Sequence, residues 1–442
     1  MTVMHGVDAK ARRALIVGGS LGGLLAANML RSIGWDVQVF ERAGDDLASR
    51  GAGIGVHEEM LVVLKRIGVV VDDSLGVVPK SRFCLDPSGK RLLEFTRPSV
   101  LSSWGRLYRA LKNALPQQQY HFGKSLASFE ADPDGVTALF SDGSRVAGDL
   151  LIGADGVRST VRQQLMPEAQ PRYAGYVAWR GMLPEAAMSP ELHREIFNHS
   201  VVCLPEGEIF AGYPVPGPND DLRPGHRAYN LVWYHPVEEK RELVDLCTDA
   251  SGHCHGTSIA PPLIRPEITA RMREVAREVF APQCAQVVDL IPQLFFQAIF
   301  DMVPPRLVQG RVLLLGDAAI VARPHVGMGV TKAAFDAECL TDSLAANKDI
   351  EAALQQYNNL QLEFGTRLVA RARRIGAHVQ AQGKPRELRT PEELHQNPQV
   401  FMRESSARLK DIPELIELVR ARRKSSGAGV HPILDPGRSG AG

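Results

Sequence analysis

The stretch "LIVGGSLGGLLAANML", Leu15 to Leu30, decides the fold. A strand-like apolar run ends in a glycine turn, and a helical pattern opens at about Leu21. The dinucleotide fingerprint is Gly-x-Gly-x-x-Gly. Its first glycine makes the tight turn, its second lets backbone approach a pyrophosphate, and its third packs helix on strand. Gly18 and Gly23 fill the outer places, and Ser20 stands in the middle one. Serine is tolerable there, because it adds only a small hydroxyl that can donate to a phosphate oxygen. Gly19 and Gly22 lend the turn further backbone freedom. The helix starting at Leu21 aims its free N-terminal amides at the anion.

A second strand, "DVQVFER", follows and is closed by Glu41, 23 positions after Gly18. A carboxylate at that separation accepts hydrogen bonds from an adenosine ribose and disfavours a 2′-phosphate. Arg42 comes next, but the acid at the strand end points to a non-phosphorylated ribose, as in FAD or NAD. A glycine turn alone would be weak evidence. In register with strand, helix and acid it specifies a βαβ nucleotide site.

The chain has 442 residues, 44% hydrophobic and 23% charged, with a net charge of +1. These are values for a globular protein of two or three domains, and they give no reason to expect nucleic-acid or membrane partners. No apolar run approaches the roughly 20 residues that cross a bilayer. Six sparse, irregularly spaced cysteines suit reduced thiols in a cytoplasm. Cys247 and the "HCH" at His253–His255 lack a second ligand pair, so no metal is expected.

The expected architecture is α/β: a discontinuous Rossmann-like nucleotide-binding domain, an inserted β-sheet substrate domain and a helical C-terminal region. Nucleotide-domain segments are placed at 10–79, 98–169 and 291–345, and sheet segments at 80–97 and 170–290. Helices follow over 346–425, with one long basic helix from Ile350 to Gln380, and a disordered tail over 426–442. Within the sheet segment, helices are read at Glu238–Ala250 and Pro266–Val279.

Two further motifs narrow the cofactor. "DLLIGADGVRSTVR" (Asp149–Arg162) runs a strand into Asp155-Gly156 and then a helix. "GRVLLLGDAAIVARPHVGMGVTKAAFDA" (Gly310–Ala337) runs a strand into Gly316-Asp317, then Pro324 and a helix start at Gly327-Met328-Gly329. An aspartate at a strand's carboxyl end suits a ribityl hydroxyl. Free helix amides suit the negative charge a reduced flavin gathers.

With these three motifs in this order, the chain resembles the FAD-dependent aromatic hydroxylases of the p-hydroxybenzoate hydroxylase type, over roughly Arg13 to Gln380. "VGGS", "YAGYVAWRG", "YPVPG" and "RPH" look most like the members that act on hydroxypyridines. The resemblance implies FAD held by Gly18, Ser20, Leu21, Gly23, Glu41, Arg42, Gly53, Asp155, Gly316, Asp317, Gly327, Met328 and Gly329. It implies NADH or NADPH as a transient co-substrate, since no second fingerprint is present. The implied reaction is hydroxylation of a small hydroxylated aromatic or pyridine-type ring with O2, through a flavin C4a-hydroperoxide. A homodimer is the expected assembly. The chain departs from many relatives at Ile320, Trp104 and Glu58-Glu59, positions near flavin or substrate in the family.

His325, between the aspartate motif and the Gly327 turn, is the expected base or acceptor for a ring hydroxyl, its ordinary pKa near 6.5 suiting that task. Tyr213 is expected on the substrate wall as a donor. Trp179 and Trp233 are expected to pack the sheet, Arg180 to make a structural salt bridge or else to pair with a substrate carboxylate, and Arg371–Arg374 to be a solvated helix face. An FAD-linked halogenase or dehydrogenase, or a non-catalytic flavin binder, is the alternative. A Trp-x-Trp-x-Ile-Pro halogenase signature is absent.

Overall fold

The computed structural model describes residues 11–47, 53–96, 99–394 and 396–425. The tail 426–442, read as disordered, lies outside them. The strand Arg13–Val17 is apolar on both faces, and it takes a central place in a six-stranded sheet, as parallel strands covered on both sides do. Its parallel neighbours are Asp36–Phe40 and Leu150–Gly153, with Val312–Leu314 and Tyr120–His121 beyond them. The chain turns at Gly18 with φ +104°, where an added Cβ would sit 2.9 Å from the Asp155 Cα. At Gly23 a Cβ would collide with the Gly18 carbonyl, so this helix can lie on its strand only with glycine there.

The second sheet has seven strands, in the order Phe295–Asp301, Arg172–Pro184, Ala228–Pro236, Ile209–Val215, His199–Cys203, Ser81–Leu85, Arg91–Phe95. Phe295–Asp301 pairs with Arg172–Pro184, so the sheet reaches past the expected boundary at 290/291. Its partner lies far earlier in the chain, and no local signal announces the pairing. Side chains alternate between faces with period two. Trp179 and Trp233 turn away from the six-stranded sheet into a core with Phe280, Phe296 and the helix Pro266–Val279. Tyr176, Ala178, Val232 and Tyr234 face the other way, into a core shared with the C-terminal helices.

Three helical readings need correction. The expected helix over Glu238–Ala250 shrinks to Glu242–Leu246. The Asp249 carboxylate accepts the Ser251 and His253 amides, which closes a turn instead, and it also bonds His255. The long helix runs Ile350–Ile375 and is interrupted at Gly376 before Ala377–Gln380. A Cβ at Gly376 would come within 2.6 Å of the Tyr176 hydroxyl and 2.8 Å of His325 Nε2. Of Arg371–Arg374, Arg371 is buried against Glu414 and so departs from the solvated face, whereas Arg373 and Arg374 are exposed as expected while pairing with Asp301 and Glu404. Among the described residues no cluster could hold a metal ion, and no helix is long and apolar enough to cross a membrane.

Arg162, fully buried, spans the join between motifs. Its guanidinium donates to the carbonyls of Ala169 (3.1 Å), Ala318 (3.0 Å) and Val157 (2.5 Å). A lysine could not reach all three from one side-chain nitrogen. Arg162→Lys is expected to cost about 3 kcal/mol through buried carbonyls left unpaired, read as a lowered urea midpoint by circular dichroism.

Candidate active site

A cavity of about 1080 Å³ opens between the two sheets. From the nucleotide side it is lined by Arg42, Gly53, Asp155, Asp317, Gly327 and Gly329. From the seven-stranded sheet it is lined by alternate residues of neighbouring strands: Arg180, Ala211, Tyr213, Val232 and Tyr234. The Asp155 and Asp317–Gly329 motifs therefore meet at one space, joined by Arg42; Gly18, Ser20, Leu21, Gly23 and Glu41 are not among its lining residues.

At the fingerprint end, Ser20 stands before the helix Leu21–Arg31 without a side-chain capping bond, and the first turn carries no acid. Met328 stands likewise before Gly329–Ala346. Two uncapped helix N-termini leave their amides available to negative charge. The side chains of Leu21 and Met328 are buried in apolar core, so only their backbones are placed to meet a cofactor. Glu41 accepts the amides of Gly19 (2.8 Å) and Ala43 (2.9 Å), which fixes the carboxylate beside the turn.

Asp155 is a helix cap as well as a cavity residue. Its carboxylate accepts from the Ser159 hydroxyl (2.5 Å) and the Thr160 amide (2.7 Å), while burial holds its pKa above the usual carboxylate range. Asp317 is exposed to the cavity with no hydrogen bond from any described residue, and its position between the cavity walls holds its pKa above the usual carboxylate range. An acceptor turned into the cavity without a partner suits the hydroxyl-rich ribityl chain of FAD. Together with the two free helix ends, the residues present fit that group.

The Gly316 turn is held by a pair the sequence reading overlooked. Lys332 and Asp336 lie 2.6 Å apart, both side chains 2% exposed. Lys332 Nζ donates to the Gly316 carbonyl (2.9 Å), and Asp336 accepts the Gly316 amide (2.9 Å). The signal was an i,i+4 Lys–Asp pair set in the apolar run "VTKAAFDAECL", where neither face of the helix reaches water.

His325 lines the cavity, but its chemistry differs from the expectation. The ring is 3% exposed, its Nε2 lies 2.7 Å from the Tyr176 hydroxyl, and its centroid lies 4.1 Å from that of Tyr234. Burial, aided by the Arg323 cation, pushes its pKa down to about 3. A ring with so little proton affinity is a hydrogen-bonding group at neutral pH and is poorly matched to the work of a base. Arg323 is itself paired with buried Asp301 at 2.6 Å. Tyr213 donates to the Gly53 carbonyl (3.1 Å), and Asn230 accepts the Gly53 amide (3.0 Å). These two bonds tie the glycine strand Gly53–Val56 onto the sheet, where a Cβ at Gly53 would meet the Tyr213 ring at 2.7 Å. His57, at the start of the next helix, is 2.9 Å from the Thr331 hydroxyl.

Arg180 was expected in a structural salt bridge. Instead its Nε is buried without a partner, and no described carboxylate pairs with it. Its charge acts on Tyr213 and Tyr234, lowering pKa values that burial raises.

Lys332→Met leaves Asp336 buried without its cation and is expected to cost about 3–5 kcal/mol. Adding Asp336→Leu is expected to restore most of that loss, as urea midpoints of the single and double variants will show. The folded state binds fewer protons at His325 than the unfolded chain between pH 6.5 and about 3. Stability is therefore lost as pH falls through that window and is untouched above it. Between pH 7 and 5 this residue is expected to remove about 2 kcal/mol, a loss absent from His325→Gln in paired urea titrations.

A family model described as FAD binding domain-like matches residues 173–301, from the long strand to the end of Phe295–Asp301. The chain is 33% identical over 374 residues to 2,6-dihydroxypyridine 3-monooxygenase of Paenarthrobacter nicotinovorans, covering 84% of this chain and 92% of that one. It is 31% identical over 379 residues to 3-amino-4-hydroxybenzoate 2-monooxygenase of Streptomyces cremeus, covering 82% and 86%. The solved structure of 2,6-dihydroxypyridine-3-hydroxylase from Arthrobacter nicotinovorans matches with a TM-score of 0.80 and 31% identity, over 87% of this chain and 96% of that one. An identity of one position in three across nearly a whole relative joins the converging motifs and the open acceptor at Asp317: the chain belongs to the FAD-dependent aromatic hydroxylases and is a flavoprotein monooxygenase.

Proposed function

We propose that this monooxygenase hydroxylates a small aromatic or pyridine-type ring that is bound as an anion, with NADH or NADPH as reductant. The observation that carries this reading is the Arg180 guanidinium, which lines the cavity with a buried, unpartnered Nε. The residue is half-buried, and a guanidinium held partly out of water at a cavity wall gains from a compensating anion. Here the compensating charge comes from the ligand, as a ring oxyanion or a carboxylate. The relatives' named substrates, a dihydroxypyridine and an aminohydroxybenzoate, are rings of that kind.

Bound FAD supplies the acceptance of hydride from the reduced nicotinamide and the activation of O2. Gly18, Ser20, Leu21, Gly23, Glu41 and Arg42 hold its adenosine and pyrophosphate end. Asp155, Gly53, Gly316, Asp317 and the Gly327–Gly329 amides hold the remainder. Arg180 favours the deprotonated ring, which is the electron-rich form, so no strong base is required beside it. Tyr213 sits within the influence of Arg180 and presents its ring to the bound substrate. Neutral His325, braced by Tyr176 and tilted against Tyr234, keeps the far wall rigid, and its buried Nδ1 has no hydrogen-bond partner among the described residues. The apolar walls exclude water from the reacting ring.

The purified protein is expected to be yellow, and its oxidation of NADH or NADPH to be stimulated by 2,6-dihydroxypyridine or by hydroxylated pyridine carboxylates. Arg180→Gln is expected to weaken ring binding by roughly 30- to 100-fold, the worth of one charge-assisted contact of 2–3 kcal/mol, with flavin content unchanged. Arg180→Lys is expected to recover part of that affinity. Unaltered affinity in Arg180→Gln, or no stimulation by any hydroxylated ring, would overturn the proposal.

A further inference from the structure

The cavity has a further wall, which comes from the C-terminal region. Phe401, Ser405, Ser406 and Arg408 line it alongside Gly327 and His325. We infer that the segment Asn397–Asp411 is a built-in wall of the ring-binding compartment, and that Phe401 and Ser406 help set which ring fits. This rests on the reading that the cavity holds flavin and ring together.

Three independent attachments hold the segment in place. Arg82, on the strand Ser81–Leu85, donates to the carbonyls of Met402 (3.2 Å) and Ser405 (2.8 Å) and to the Ser405 hydroxyl (2.7 Å). Lys410 pairs with Glu58 at 2.9 Å, at the head of the helix that follows the glycine strand. Met402, Leu409, Ile412 and Leu415 share one buried core with Val326, Met328 and Tyr176. The segment is therefore docked on the same apolar mass that supports the Gly327 turn.

Ser406 occupies the point of contact. It is one of three described non-glycine residues with positive φ, at 49°, a conformation that costs energy for any residue bearing a Cβ. Its amide donates to the His325 carbonyl at 3.2 Å. Its Oγ lies where a Cβ on Gly327 would come within 2.7 Å. Strain retained against a cofactor-facing turn is a mark of function. Ser406 bears on the Gly327 turn as a positioning residue, and Phe401 presents an apolar surface to the compartment.

The test uses full-length holoenzyme and two readouts. Ring affinity is taken from the change in flavin absorbance, comparing a one-ring hydroxypyridine with a fused two-ring hydroxyquinoline. Flavin accessibility is taken from iodide quenching of its fluorescence. Phe401→Ala is expected to shift the affinity ratio towards the two-ring ligand by roughly ten-fold, the scale of a few methylenes of pocket space. Ser406→Gly relieves the positive φ, so it is expected to melt at or above the wild-type temperature yet to bind the one-ring ligand several-fold more weakly. A purely structural role would raise stability and leave affinity alone. Arg82→Gln, which leaves the cores intact, is expected to increase iodide quenching by loosening the wall. An unchanged affinity ratio in Phe401→Ala together with unchanged affinity in Ser406→Gly overturns the inference. If neither ring perturbs the wild-type flavin, the ring reading fails instead, and unchanged quenching in Arg82→Gln then overturns the wall by itself.

Discussion

A lysine and an aspartate shut away from water hold the backbone of the Gly316 turn, and the geometry of the cavity follows from that clamp. Lys332 and Asp336 lie one helical turn apart, each reaching back to the same glycine, one to its carbonyl and the other to its amide. The helix carrying the pair begins at Gly329, so the Asp317 turn and the Gly327–Gly329 turn move as one body. Arg162 extends the connection to the Asp155 turn by bonding the Ala318 carbonyl. Three strand-to-helix turns, each weak as a local structure, are thereby fixed relative to one another by ionic groups with no alternative partners in water. Such pairs add little net stability over apolar replacements, but once present they tolerate only one arrangement.

Charge placement in the cavity follows a single logic. Asp301 pairs with both Arg323 and Arg373 behind the Tyr176–His325 pair, which leaves one positive charge in excess there, and the histidine beside them stays uncharged. The compartment is then lined by cations with no described counter-charge, Arg180 together with Arg42 and Arg158, and by one carboxylate without a described hydrogen bond, Asp317. These complement different parts of a two-component occupant: a hydroxyl-bearing cofactor chain and an electron-rich ring.

Much of this was legible in the sequence wherever the determinant is local. The turn at Gly18, the helix at Leu21 and the alternation in "YAGYVAWRG" are written in consecutive residues, and the structure places them where the periodicities require. What was not legible depends on partners far away along the chain. Phe295–Asp301 reads as any apolar strand until its pairing with Arg172–Pro184 is known. Arg371 reads as part of a wet helix face because Glu414, which pairs with it, comes 43 residues later. For His325 the ordinary pKa was assumed, whereas burial beside Arg323 displaces it far downwards.

The order in which the polypeptide leaves the ribosome bears on the wall contributed by Asn397–Asp411. The turn near residue 20 is synthesised first, but its sheet is complete only once Val312–Leu314 has emerged. Ser406 arrives only after nearly everything it touches. A nascent or C-terminally clipped chain would thus carry a yellow cofactor in a half-walled chamber, able to meet oxygen but badly shielded from solvent. Such a chain would be prone to waste reducing equivalents as hydrogen peroxide, and proteolysis at the carboxyl end would turn a hydroxylase into a futile oxidase.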